Sequence, residues 1–175
     1  MRRIISILLQ NEAGALARVA GMFSARGYNI ESLTVAPTHD EAISRLTLVT
    51  AGSDAVIDQI IKQSRKLIEV LEIADLTSLD HIETELLILK LEVRAEALGA
   101  FVGALRKYPR AQVIDITGSV RTIEFTGSGA EVGEFLAAFA KIGEIVELAR
   151  SGTAAVERGL SVLSHASPRL RLQSA

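Results

Sequence analysis

The sequence contains no cysteine, and that one absence removes disulfides, thiolate metal sites and cysteine nucleophiles together. It suits a reducing compartment, so a cytoplasmic location is the expectation. Histidine is scarce: His39, His81 and His165 are scattered, with no two at HxxxH spacing. Solvated loop residues are the bland reading of all three, and no metal site is expected. An excess of either charge is also missing. The 19 basic and 21 acidic residues leave a formal net charge of -2, which gives no electrostatic reason to expect nucleic acid or an anionic membrane as the main partner. No apolar run approaches the ~20 residues that cross a bilayer. The opening "MRRIISILLQN" is too short for a signal-peptide core and has no small-residue cleavage site behind it; it reads as a first strand. GxxxxGK[ST], GxSxG and HExxH do not occur.

The 175 residues are 49% hydrophobic and 23% charged, ordinary values for a soluble globular protein with room for one or two compact domains. Ile4 to Leu9 is almost continuously apolar and β-branched, as expected of a strand covered on both faces. After a turn from Asn11 to Gly14, the residues Leu16, Val19, Ala20 and Phe23 fall at i, i+3, i+4 and i+7, one stripe of a helix that Gly27 can end in a left-handed conformation. Ile30 to Ala36 and Ala42 to Thr50 read as a hairpin around "PTHDE". Ser53-Asp54 can cap a second helix carrying Val56, Ile57, Ile60 and Ile61, and a fourth strand follows between Lys66 and Leu76. The order βαββαβ predicts a ferredoxin-like plait, an antiparallel four-stranded sheet with both helices on one face.

The same order recurs downstream. Glu85 to Val93 is a strand and Ala95 to Tyr108 a helix with Leu98, Phe101, Val102 and Leu105 aligned. Arg110 to Thr117 and Val120 to Phe125 form a hairpin around Gly118-Ser119. Ala130 to Ile142 is a helix with Val132, Phe135, Leu136 and Phe139 aligned, and Glu144 to Ala149 closes the unit. The fold class expected is therefore α+β, two ferredoxin-like βαββαβ units in tandem. The first spans 1–76, a linker 77–84, the second 85–163, and 164–175 is expected as a disordered tail.

Three stretches invite a chemical reading. "EFTGSGAEVGEFL" runs from strand to helix through Gly127, Gly129 and Gly133, with Glu147 twenty residues past Gly127, superficially like a dinucleotide loop. Its spacing is GxGxxxG rather than GxGxxG, and its strand belongs to a hairpin, so a flexible loop before a helix is favoured. The carboxylate pairs Glu12 with Glu31 and Glu83 with Glu85 lack the apolar surroundings that raise a general acid's pKa. The turn "QNEAGAL" differs, because a helix N-terminus after a strand end offers unpaired backbone N–H groups and the positive end of the helix dipole. Gly14 lets a small ligand approach the backbone, and Asn11 and Asn29 offer amides that hold an ammonium or a carboxylate without adding charge. An α-amino acid needs both functions. The residues alone leave two alternatives open, an amino-acid site or an Asn11 helix cap with Gly14 easing the turn.

The stretch "RRIISILLQNEAGALARVAGMFSARGYNIESLTVAPT" closely resembles the N-terminus of the regulatory small subunits of acetolactate synthase (acetohydroxyacid synthase), whose first half is an ACT domain. The resemblance continues through "SRLTLVT", "QIIKQSRKLIEVLEI", "ETELLILKLEV" and "ARSGTAAVERG", nearly the whole chain.

It implies a non-catalytic subunit that activates a thiamine-diphosphate-dependent catalytic large subunit of branched-chain amino acid biosynthesis and confers feedback inhibition by valine. No cofactor is implied in this chain; thiamine diphosphate, Mg and FAD are expected in the catalytic partner. It further implies a homodimer through ACT domains, with valine at the pairing interface. On that pattern Asn11, Ala13, Gly14, Ala15 and Leu16 form one wall, and Asn29 and Ile30 reach in from the other protomer. The second unit then serves activation of the catalytic subunit. Burying an isopropyl group against Leu16 and Ile30 is worth ~1.5 to 3 kcal/mol, enough to prefer valine to alanine but not to reject leucine or isoleucine strongly. The competing reading is a stand-alone ACT-domain amino-acid sensor acting on a different partner.

Overall fold

A computed structural model describes residues 1–164. Four helices and nine strands follow in the order β1 (Arg2–Gln10), α1 (Ala15–Ala25), β2 (Ile30–Pro37), β3 (Ile43–Ala51), α2 (Asp54–Ser64), β4 (Val70–Asp75), β5 (His81–Glu92), α3 (Leu98–Leu105), β6 (Ala111–Thr117), β7 (Val120–Gly127), α4 (Gly129–Phe139), β8 (Glu144–Arg150) and β9 (Ala154–Glu157). Short 3-10 turns at Leu76–Ser78 and Ala95–Ala97 precede β5 and α3. The strand order β2-β3-β1-β4 recurs as β6-β7-β5-β8, with β9 added on β5. β1 pairs antiparallel with β3 and β4, and β2 with β3; β5 does so with β7 and β8, and β6 with β7. This is the ferredoxin-like order twice, in an α+β chain.

In the first unit β1 is central and every residue from Ile4 to Leu9 is buried, as an apolar run covered on both faces requires. Ile5, Ile7 and Leu9 pack with Leu46 and Leu48 of β3, Ile73 of β4, Val19, Met22 and Phe23 of α1, and Ile57 and Ile60 of α2. The apolar face of α1 is Ala15, Val19, Met22 and Phe23, so the expected stripe is turned slightly: Val19 and Phe23 remain, and Leu16 is 37% exposed. Gly27 closes the helix at φ 67°, the left-handed stop expected of it.

In the second unit Leu87, Leu89 and Leu91 alternate inward along β5 against Phe101, Ile123, Phe125, Val132, Phe135 and Phe139. Phe125 stacks on Phe135 with centroids 4.4 Å apart, and the Tyr108 ring meets Phe135 edge-on at 5.0 Å. The α3 stripe is narrower than the spacing predicts. Phe101 is buried, whereas Leu98 and Val102 are exposed. The helix expected from Ala95 begins with a 3-10 turn instead of α-helix.

The boundaries also differ from those expected. Among the described residues the first unit comprises Met1–Ile82 together with residues 155–164, and the second Glu83–Ala154. The physical reason lies in the contacts of the returning segment. Ala155 joins a buried cluster with Ile4, Val49 and Leu76, its carbonyl accepts a bond from Arg45 Nη2 at 3.1 Å, and Arg158 pairs with Asp80 at 3.1 Å. Residues 155–163, expected in the second unit, thus belong to the first. The expected linker 77–84 is a 3-10 turn followed by the start of β5. Of the expected tail, residues 165–175 lie outside the described residues.

Candidate functional site

The turn between β1 and α1 has an unusual start. Gly14 stands at the helix N-cap with φ 90° and ψ -12°, and no side chain caps the helix. That backbone conformation suits glycine and strains any residue with a Cβ. Asn11, the candidate cap, is engaged elsewhere. Its Nδ2 donates to the Glu41 carbonyl at 2.8 Å and its Oδ1 accepts from Ser44 Oγ at 2.9 Å. Ala15 N–H turns back to the Glu12 carbonyl at 3.2 Å. The first helical turn therefore presents backbone N–H groups with the positive end of the dipole behind them.

Beside this turn lies a groove of about 220 Å³. One wall is the turn itself and α1, through Asn11, Glu12, Ala15 and Leu16; the other is the C-terminal end of β2, Val35 to Pro37, with Ser44 of β3 between them. Leu16 and Val35, 37% and 40% exposed, give the groove an apolar stretch next to its polar end.

Of the residues picked from the sequence, Asn11, Ala15 and Leu16 line the groove, and Ala13 and Gly14 belong to the loop that carries it. Asn29 and Ile30 do not meet them within the protomer. They sit beyond the other end of α1, where the Asn29 carbonyl accepts from Thr50 Oγ1 at 2.6 Å and Ile30 packs on the core. Ser44 and Val35 to Pro37 went unnoticed in the sequence reading. Their signal was the "LTVAPT" and "SRLTLVT" segments on either side of the hairpin, read there only as strands.

The other candidate sites are engaged by the protein's own groups or lie exposed on the surface. At the α4 N-terminus Ser128 Oγ accepts from Glu131 N–H at 3.3 Å while Glu131 Oε2 accepts from Ser128 N–H at 2.7 Å, a full capping box. Two of the donors that would greet a phosphate are thus already used, and the Glu131 carboxylate stands where the anion would. Bonding from the Ser128 backbone, then from Arg110, holds the Glu131 carboxyl below its usual range. Glu147 bonds Lys90 at 2.6 Å, which lowers the carboxyl's pKa and raises the amine's. Glu85, 3% exposed, is held by Arg150 through two bonds of 2.7 Å; Glu12 and Glu31 are exposed. His39 is exposed, His81 bonds the Leu79 carbonyl at 2.9 Å, and His165 lies outside the described residues. Among the described residues no group of three or more His, Asp or Glu could hold a metal ion, and no helix is long and apolar enough to cross a membrane.

Comparison with known proteins covers both units. Residues 5–72 match the model of the AHAS small subunit-like ACT domain, and residues 84–159 that of the small subunit of acetolactate synthase. The chain is 44% identical to the acetolactate synthase isozyme 3 small subunit of Escherichia coli, over 93% of this chain and 99% of that one. It is 40% identical to the probable acetolactate synthase small subunit of Archaeoglobus fulgidus, over 91% and 98%. The crystal structure of the acetolactate synthase small subunit from Thermotoga maritima superposes with a TM-score of 0.81 at 29% identity, covering 92% of this chain and 99% of that one.

Proposed function

The chain belongs to the family of acetolactate synthase small subunits, and from that premise we propose that it is a non-catalytic regulatory subunit that binds valine in its first unit and adjusts the activity of a catalytic large subunit. The observation that carries the reading is the groove at the uncapped start of α1, where Gly14 at φ 90° leaves the backbone open to a ligand. Valine's carboxylate takes the N–H groups of the first helical turn, and its isopropyl group lies against Leu16. In this reading thiamine diphosphate, magnesium and FAD belong to the catalytic partner, and the present residues contribute none of the chemistry of carbon–carbon bond formation.

Two copies complete the site. β2 lies at the edge of the first sheet, so its outer backbone groups are available to a further strand. Antiparallel pairing of two such edges sets the Ile30 end of one copy beside the Pro37 end of the other. Asn29 and Ile30 of the second copy then face the groove that Asn11, Ala15 and Leu16 line. A ligand that bridges two copies alters their relative placement, and inhibition follows when the catalytic subunit prefers the ligand-free arrangement.

Calorimetric titration of the purified chain with valine, isoleucine, leucine and alanine tests the reading. Valine is expected to bind and alanine to bind far more weakly; no heat with any of the branched amino acids contradicts it. Capture from a cell lysate separates the competing assignment: a thiamine-diphosphate enzyme supports a synthase subunit, and an unrelated protein supports a stand-alone sensor.

A further inference from the structure

One residue fastens the ligand turn to the β2–β3 hairpin. The Asn11 backbone N–H donates to the Ala42 carbonyl at 2.8 Å, its Nδ2 donates to the Glu41 carbonyl at 2.8 Å, and its Oδ1 lies 2.9 Å from Ser44 Oγ. A carbonyl oxygen only accepts, so the amide atom facing Glu41 has to be the nitrogen. The amide orientation is thereby fixed, and the Ser44 hydroxyl has to donate to Oδ1. Ser44 is 7% exposed, and turning its hydroxyl away from Asn11 would leave a buried hydroxyl unpaired. The Asn11 amide nitrogen carries two hydrogens and Glu41 takes one of them. Asn11 and Ser44 both line the groove.

We infer that Ser44 is a positioning residue for ligand recognition: by donating to Asn11 Oδ1 it holds the Asn11 amide so that the second N–H is offered to the α-carboxylate of a branched-chain amino acid. The inference rests on the reading of the groove as the valine site and gives that reading a polarity. With one lone pair of Oδ1 taken by Ser44 and the second N–H of Nδ2 left over, the Asn11 side chain offers a fixed donor beside a partly satisfied acceptor, and so favours a carboxylate over an ammonium. The ligand enters carboxylate first, and its ammonium falls to groups on the opposite wall. The Glu41 to Ser44 stretch is tied to Asn11 by three hydrogen bonds.

Valine titration of the full chain and its variants tests this, with melting measured beside each titration. Ser44→Ala is expected to weaken valine binding roughly three- to tenfold, the share of one hydrogen bond, while Ser44→Thr, which keeps the hydroxyl, binds close to the unsubstituted chain. In an Asn11→Ala background the Ser44→Ala change should have no further effect, because a residue acting only through Asn11 has nothing left to position. Unchanged affinity in Ser44→Ala, or the same loss in both backgrounds, overturns the inference and leaves the proposed function standing. If the unsubstituted chain takes up no valine, both fall. A measurement without substitution guards against a poorly folding variant: in the nitrogen-15 spectrum of the full chain, valine should shift the Asn11 side-chain proton that does not bond Glu41 and leave its twin nearly in place. Saturating valine that moves neither proton also overturns the inference.

Discussion

Gly14 and Asn29 stand at opposite ends of one helix: Gly14 opens α1 at φ 90°, and Asn29 follows the turn that closes it, with the 11 residues of α1 between them. That length is about 16 Å of helix, too far for one small amino acid to touch both. If both serve one site, they come from two copies. Mixing a Gly14→Asp chain with an Asn29→Ala chain should restore one intact valine site per mixed dimer, readable as stoichiometry by calorimetry. Mixed dimers that form and bind no valine would place both walls in one chain.

Gly14 also allows strain to be separated from recognition. The space beside it is open, with no atom within 4 Å of an added Cβ, so a substitution strains the backbone without a clash. Gly14→Ala and Gly14→Asp should each lose about 1 kcal/mol of stability to the positive φ. Gly14→Asp should also lose at least tenfold in valine affinity beyond Gly14→Ala, about 1.4 kcal/mol, because its carboxylate competes for the same N–H donors. Equal affinities in the two variants would remove the carboxylate from this turn.

Much of the fold was legible because its elements carry strong periodic signals. The continuous apolar run of β1 announced a strand buried on both faces, and Glu85 to Val93 read as a strand, whose inward face of Leu87, Leu89 and Leu91 is seen in the structure. Periodicity locates a helix face only to within a residue or so. The four residues chosen on α1 included Leu16 for its hydrophobicity, whereas the structure buries Ala15 and Met22 and leaves Leu16 on the groove. In α3, "LGAFVGAL", nearly every residue is apolar, so the pattern could not show that Leu98 and Val102 face outward. β9 escaped notice because its four residues owe their extended form to pairing with β5 rather than to propensity. Ser44 escaped for the same kind of reason: its partner Asn11 is 33 residues away, and nothing local links them.

In the second unit the Glu85–Arg150 pair offers a stability test. Glu85 is 3% exposed and both its oxygens bond Arg150 at 2.7 Å. Arg150→Ala strands a buried carboxylate and should cost about 2 to 3 kcal/mol, less than a fully buried pair because the arginine side chain is 42% exposed. Calorimetric melting is the check, and an unchanged transition would mean that water serves Glu85 as well as the guanidinium does.

The capping box of α4 predicts a pH dependence. The Glu131 carboxyl is held below its usual range by the Ser128 N–H and by Arg110, so its folded pKa lies under its unfolded one. Its stabilising share is present at neutral pH and disappears as the pH falls through that lowered value. Melting temperature against pH should therefore decline less on acidification in Glu131→Ala than in the unsubstituted chain. Parallel curves would show that the cap adds nothing that protonation removes.

The most direct test of the regulatory assignment is reconstitution. The catalytic subunit of a synthase from the same source is assayed for acetolactate formation alone, with this chain, and with this chain plus valine. The account predicts a rate that rises on adding the chain and falls again with valine, with the catalytic subunit alone indifferent to valine. A rate that the chain leaves unchanged, or one that it raises but valine does not lower, would contradict it.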